Sequence, residues 1–165
     1  MMRIGLLSDT HGHLDDQIFK HFAECDEIWH AGDIGTLQLA DQLSSFKPFF
    51  AVFGNIDHGK LRQLFPEDLW LERNGISIWM THIGGYPPKY NPRTKSRLNE
   101  RCPDLFICGH SHILKVLRDK ERGLLHINPG AAGIQGFHTV KTVVRFSIFE
   151  SKITDLEVIE LGSRA

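Results

Sequence analysis

The sequence predicts a four-layer α/β sandwich, an αββα stack of two mixed β-sheets flanked by helices. Three observations point there. The first third of the chain alternates short apolar runs with helical spacings, and the last third carries strands almost without helices. Together they contain too much strand for one open sheet.

Residues 3–8 form a short apolar run that reads as a buried strand. Residues 14–23 place Leu14, Ile18, Phe19 and Phe22 at helical spacing. Residues 27–30 give a second strand, residues 36–43 a second helix with Leu37, Leu39, Ala40 and Leu43 apolar, and residues 48–53 an aromatic-rich third strand. A β-α-β-α-β order implies a parallel sheet with right-handed crossovers. Residues 69–72 and 76–80 flank Asn74-Gly75, a hairpin signal. Residues 93–101 read as a helix and 105–108 as another buried strand. Beyond Gly109 the pattern is strand only, over 114–118, 124–127, 142–149 and 153–159, with the last two joined at Glu150-Ser151. No repeat or linker composition interrupts the chain, so residues 1–165 are expected to form one domain.

Composition narrows the function classes. Hydrophobic residues make up 41% and charged residues 24%, with a net charge of −1 and no Lys/Arg block, which argues against a partner bound along an extended nucleic-acid backbone. The N-terminal apolar run breaks at Ser8-Asp9-Thr10-His11 before it could serve as a secretory signal, and no apolar stretch reaches membrane-spanning length. Cys25, Cys102 and Cys108 lack C-x-x-C spacing, as expected of reduced thiols in a cytoplasmic protein. The aromatic residues Phe46, Phe49, Phe50 and Trp70 fit either a core or the interface of a homo-oligomer. The unusual feature is ten histidines.

Five of these apolar runs end in a metal-competent side chain. The predicted strands are followed by Asp9-Thr10-His11, Gly32-Asp33, Gly54-Asn55, Thr81-His82 and Gly109-His110-Ser111-His112. In α/β sheets, functional groups gather beyond the carboxyl ends of strands. Asp9 and Asp33 offer anionic oxygens, Asn55 a neutral oxygen, and His11, His82, His110 and His112 imidazole nitrogens. Mixed N/O ligation without thiolate suits Mn²⁺, Fe, Zn²⁺, Co²⁺ or Ni²⁺ better than Mg²⁺. Seven side chains exceed one tetrahedral site and fill two when a carboxylate bridges. Two divalent ions, less two carboxylates and a bridging hydroxide, leave net positive charge to hold a phosphate ester.

In this order, these motifs resemble those of the calcineurin-like metallophosphoesterases, most closely their small single-domain bacterial and archaeal phosphodiesterases. The resemblance extends to Asn128-Pro129-Gly130. It implies the αββα sandwich and two divalent ions, Mn²⁺ foremost. It also implies a ligand assignment: Asp9, His11 and His112 on one metal, Asn55, His82 and His110 on the other, Asp33 bridging. Asp33, Asn55 and His82 are further expected to act in catalysis. Many members carry a histidine after the Gly-Asn pair; here that position is Ile56, so the general acid is unassigned and His58 is the nearest candidate. After His82 the chain departs again, into the Gly/Pro/Tyr-rich loop 83–90.

Other residues read more plainly. His13 fits a helix start, His30 and His126 strand interiors, and His138 a loop that could touch substrate. Asn128 fits a turn or a group that orients a ligand histidine. Arg93, Lys95 and Arg97 fit a solvated helix face or a phosphate contact, and Cys108 fits core packing. The expected activity is hydrolysis of a small phosphate diester. A phosphomonoesterase or a nuclease would use the same site. A scaffold of this fold, as in the retromer complex, would be expected to have lost ligand histidines, and none is lost here.

Overall fold

The computed structural model describes residues 1–165. Strand β1 (Met2–Leu7) is apolar on both faces because both are covered. Ile4 and Leu6 join the core between the sheets, and Leu7 joins the core beneath the helices. Helix α1 (Gln17–His21), β2 (Glu27–His30), α2 (Leu37–Phe46) and β3 (Phe49–Ala51) follow, and β1, β2 and β3 pair in parallel as the alternation predicts. Helix α1 is shorter than its apolar spacing suggests, because the Asp15 carboxylate accepts the Gln17 N–H (2.9 Å) and starts the helix late. Thr36 caps α2 by accepting the Leu39 N–H.

The short helix α3 (Lys60–Leu64) has one buried apolar residue, Leu61, too little periodicity to be read from sequence. Strands β4 (Asp68–Arg73) and β5 (Ile76–Thr81) form the hairpin expected at Asn74-Gly75, whose φ values of 46° and 83° match a two-residue turn with both centres left-handed. A two-residue ladder that the sequence reading missed, β6 (Gly85–Tyr86) against β7 (Lys89–Tyr90), then folds the loop after His82 into a hairpin. Helix α4 (Pro92–Glu100) begins at Asn91, which accepts the Thr94 N–H, with proline in its first turn. Strands β8 (Leu105–Ile107), β9 (Lys115–Asp119), β10 (Leu124–Asn128), β11 (Val140–Phe149) and β12 (Lys152–Ser163) complete the chain.

Two mixed five-stranded sheets result, ordered β12-β11-β1-β2-β3 and β4-β5-β8-β10-β9. The division does not follow the halves of the chain. The C-terminal hairpin β11–β12 joins the N-terminal parallel strands, because β11 pairs antiparallel with β1 and sets Val144, Phe146 and Ile148 beside Ile4 and Leu6. Fifteen buried residues fill the space between the sheets. A second core seats α1, α2 and α3 on the first sheet, and a smaller one around Trp79, Phe106 and Leu98 seats α4 on the second. The layers are therefore helix, sheet, sheet, helix. Phe46, Phe49, Phe50 and Trp70 all pack against these cores, so the choice between core and interface falls to packing.

Candidate metal centre

The loops after β1, β2, β3, β5 and β8 meet at one edge of the sandwich and are stitched by backbone hydrogen bonds. Asp9 N–H donates to the Gly32 carbonyl (3.0 Å), His11 N–H to that of Asp33 (3.0 Å), and Gly109 N–H to that of His82 (2.9 Å). Asp9, His11, Asp33, His110 and His112 all hold left-handed φ values, between 47° and 71°. Such backbone costs about 1–3 kcal/mol per residue and concentrates where function over-determines the geometry. It turns each side chain inward at the end of its strand. Glycine permits the close approach: a Cβ on Gly54 would lie 2.1 Å from Asp33 Oδ1, and one on Gly109 would lie 2.2 Å from Ser8 Oγ.

The side chains converge in two groups, Asp9 with His11 and His112, and Asp33 with His82 and His110. Asp33 Oδ2 stands 3.4 Å from His11 Nε2 and 3.2 Å from His82 Nε2, so one carboxylate oxygen faces both groups. Asp9 Oδ1 lies 3.2 Å from His112 Nε2. Asn55 joins the second group, its Oδ1 3.0 Å from His110 Nδ1. The donor set fits divalent ions. Asp9 Oδ1, His11 Nε2 and His82 Nε2 are buried without a hydrogen-bond partner, although buried polar atoms are normally paired. Their convergence supplies electron pairs to a cation.

Local electrostatics keep the carboxylates ionised. Burial raises the Asp9 pKa, but His11 and His112, with His82 and Ser8, hold it well below the usual range. Asp33 is also held low, burial being outweighed by His82 and by the Ile56 N–H on Oδ1 (3.0 Å). His11 is raised chiefly by the neighbouring Asp9 carboxylate, 3.9 Å away; His82 is raised despite burial, by Asp33 and Asp9.

A surrounding layer orients these side chains. His82 Nδ1–H donates to the Ala31 carbonyl (2.7 Å), which leaves Nε2 to face the site. Gly32 N–H donates to His30 Nδ1 (3.1 Å), so His30 carries its proton on Nε2 and donates to Thr10 Oγ1 (2.9 Å), which in turn donates to the Ile34 carbonyl (2.8 Å). Burial pushes the His30 pKa down to about 4, in keeping with that neutral tautomer. Asn128 Nδ2 donates to the Gly109 carbonyl and to Ser111 Oγ (both 3.0 Å), fixing the turn between His110 and His112. Asp57 was not singled out from sequence. Fully buried, it accepts the N–H groups of Ile34, Gly35 and Gly54 (3.1, 2.9 and 2.8 Å) and so binds the Asp33 loop to the Asn55 loop. An aspartate two residues after the Gly54-Asn55 pair was the available signal.

The remaining candidates scatter. His58 is exposed at the entry to α3 and is not among the residues lining the cleft beside Asn55. His13 closes a turn, its N–H donating to the Thr10 carbonyl. His138 sits edge-on to His112, 5.2 Å between ring centroids, and borders a cleft with Phe137. Arg93 pairs with Asp68 and, with Arg62, borders the cleft beside Asn55 and His82. Cys108 is buried, its thiol pushed up to about 12 by burial, which removes it as a nucleophile near neutral pH.

Residues 2–151 match the family model of the calcineurin-like phosphoesterase superfamily domain. The chain belongs to this superfamily. Calcineurin-like phosphoesterases are metal-dependent hydrolases, in agreement with the unpartnered donor set. The chain is 31% identical over 166 residues to a "probable metallophosphoesterase" of Methanocaldococcus jannaschii, covering 94% of itself and 82% of that relative. Its fold is similar to that of an archaeal phosphodiesterase, with a TM-score of 0.77 at 21% identity over 97% of this chain and 100% of the other. It is also similar to Vps29 of Chaetomium thermophilum, with a TM-score of 0.80 at 17% identity over 98% and 86%. At such identities the structural likeness speaks to the calcineurin-like fold alone. No helix of this phosphoesterase is long and apolar enough to cross a membrane.

Proposed function

We propose that this calcineurin-like phosphoesterase is a two-metal phosphodiesterase acting on a small diester. In this reading Asp9, His11 and His112 hold one ion, Asn55, His82 and His110 the other, and Asp33 bridges them, with Mn²⁺ the first choice and Fe, Ni²⁺, Zn²⁺ or Co²⁺ alternatives. Bound divalent ions supply a nucleophilic water at neutral pH and a positive clamp for phosphoryl oxygens. The chain's own residues keep the carboxylates ionised and present imidazole lone pairs inward. Because the Ile56 position offers only its backbone N–H, which holds Asp33, no side chain there protonates the departing oxygen.

The observation that carries the diester reading is that clefts leave the ligand cluster on two sides. One of about 470 Å³ begins at Asn55 and His82, and another of about 540 Å³ begins at His110 and His112. A diester has two arms to accommodate, whereas a monoester needs extra cations for its second charge. The nearest arginines are already engaged. Arg93 pairs with Asp68, and Arg62 donates to the Asp57 carbonyl and stacks over Phe53.

The test is hydrolysis of bis(p-nitrophenyl) phosphate and p-nitrophenyl phosphate by metal-stripped protein resupplied with each ion, beside Asp33→Ala. The expected outcome is metal-dependent turnover favouring the diester and reduced to background in the variant. Monoester turnover alone would recast the protein as a phosphomonoesterase. Stoichiometric metal binding with neither ester cleaved would favour a protein-binding scaffold.

A further inference from the structure

A third cleft, of about 270 Å³, lies between the β6–β7 hairpin and strands β9 and β10 and ends at Gly109, His110 and Ser111. It therefore reaches a proposed metal ligand at one end. Its wall carries Tyr86 and Lys89, and its floor Lys115 and His126. No carboxylate lines it, and neither lysine has an acidic partner. The Lys115 ammonium lies 3.5 Å from the Tyr86 ring centroid, so hairpin and sheet are joined through a cation.

One further group offers a proton there, and a buried imidazole lies beneath it. Ser111 Oγ accepts from Asn128 Nδ2 (3.0 Å) and from the Ile113 N–H (3.2 Å), so its own hydrogen is free to be donated. His126 is wholly buried, and neither ring nitrogen has a hydrogen-bond partner. An imidazole with both nitrogens unpaired is costly in a strand interior unless the site has a use for them. The cleft thus collects donors and positive charge without one compensating acid.

We propose that the cleft between the β6–β7 hairpin and β9–β10 is a subsite for a second anionic group, a phosphate or carboxylate, carried on one arm of the diester. This inference rests on the phosphodiesterase reading and adds the substrate's class: an ester whose arm bears a further negative charge. Lys115 and Lys89 supply the countercharge, the Ser111 hydroxyl a donor at the end nearest the metal ligands, and His126 a buried polar floor. The loop after His82, which departs from the family pattern, then becomes the specificity element.

Two measurements test it on the full-length protein. In the first, metal-loaded enzyme is given p-nitrophenyl diesters whose second arm is ethyl, 2-carboxyethyl or 2-phosphoethyl. The charged arms are expected to raise kcat/KM by about tenfold or more, the factor one charge-assisted hydrogen bond supports, and Lys115→Met to bring that ratio close to one. An equal ratio in wild type and variant would overturn the proposal. In the second, metal-free protein is titrated with inorganic phosphate while the His126 imidazole nitrogens are followed by NMR. A saturable shift, lost in Lys115→Met, is expected even should no diester be cleaved, which separates this subsite from the phosphodiesterase reading. No shift at His126 would overturn it, as would a shift accompanied by turnover indifferent to the arm's charge, since the site would then serve free anions.

Discussion

Asp33 shows how much of this centre is decided by contacts of a few atoms. Its Oδ1 accepts the Ile56 N–H while Oδ2 faces both His11 and His82, and Gly54 packs against it where any side chain would intrude. Gly54→Ala, whose Cβ would also stand 2.3 Å from the Asp33 backbone nitrogen, is therefore expected to displace the Asp33 loop, lower stability and weaken metal binding by about 10–100-fold, the range seen when ligand-orienting groups are disturbed. Isothermal titration with Mn²⁺ reads this directly, and unchanged affinity would count against Asp33 as a ligand. Asp57 acts one layer out. Asp57→Ala leaves three N–H groups without an acceptor and is expected to cost about 3 kcal/mol or more, read as a lowered denaturation midpoint together with weaker metal binding.

Among the elements, the two hairpins behave oppositely. The β4–β5 turn has both chemistry and register written in Asn74-Gly75, and its left-handed φ values follow from those residue types. Gly75→Ala is expected to cost about 1 kcal/mol through its φ of 83° and to leave turnover unchanged, because the turn lies at the opposite ends of these strands from His82. A large loss of activity with little loss of stability would contradict that separation. The β6–β7 hairpin has only two residues per strand, too few for any period to declare itself, and is tied to β9 by Lys115 over the Tyr86 ring and by the Tyr90 hydroxyl, which donates to Asp119 (2.7 Å). Helices show the same contrast. The start of α2 at Thr36 agrees with the sequence reading and that of α4 falls one residue earlier than expected, capped by Asn91, whereas the late start of α1 depends on a side-chain bond from Asp15.

Across the whole molecule, folding leaves His126 buried with its pKa pushed down to about 4 against the ordinary 6.5, first by burial and then by Lys115. The unfolded chain consequently takes up the proton first as pH falls. Stability from this source is full above about pH 6.5 and drains between 6.5 and 4, by up to about 3 kcal/mol. His30 acts in the same sense. Urea midpoints at pH 7.5 and 4.5 are expected to differ less in His126→Gln than in wild type, and an unaltered difference would refute the assignment. Metal acts in the other direction, since ions that bind only the folded chain stabilise it by about 2.7 kcal/mol at a hundredfold excess over Kd. A rise in Tm with added Mn²⁺ is expected, and it should disappear in Asp33→Ala.

The features legible along the chain are those whose signal is local. Apolar runs announced the buried strands, turn residues placed the hairpins at Asn74-Gly75 and Glu150-Ser151, and five strand ends declared Asp9, His11, Asp33, Asn55, His82, His110 and His112 as a set with metal-ligand chemistry. The sheet that the last hairpin joins was settled by folding, because β-pairing depends on the edge that β1 leaves open and not on β11 alone. Folding also decided the grouping of the candidate metal-binding side chains, the work of Asp57, and the cationic cleft under the β6–β7 hairpin. Each of these joins residues tens of positions apart, where distance along the chain carries no information about distance in space.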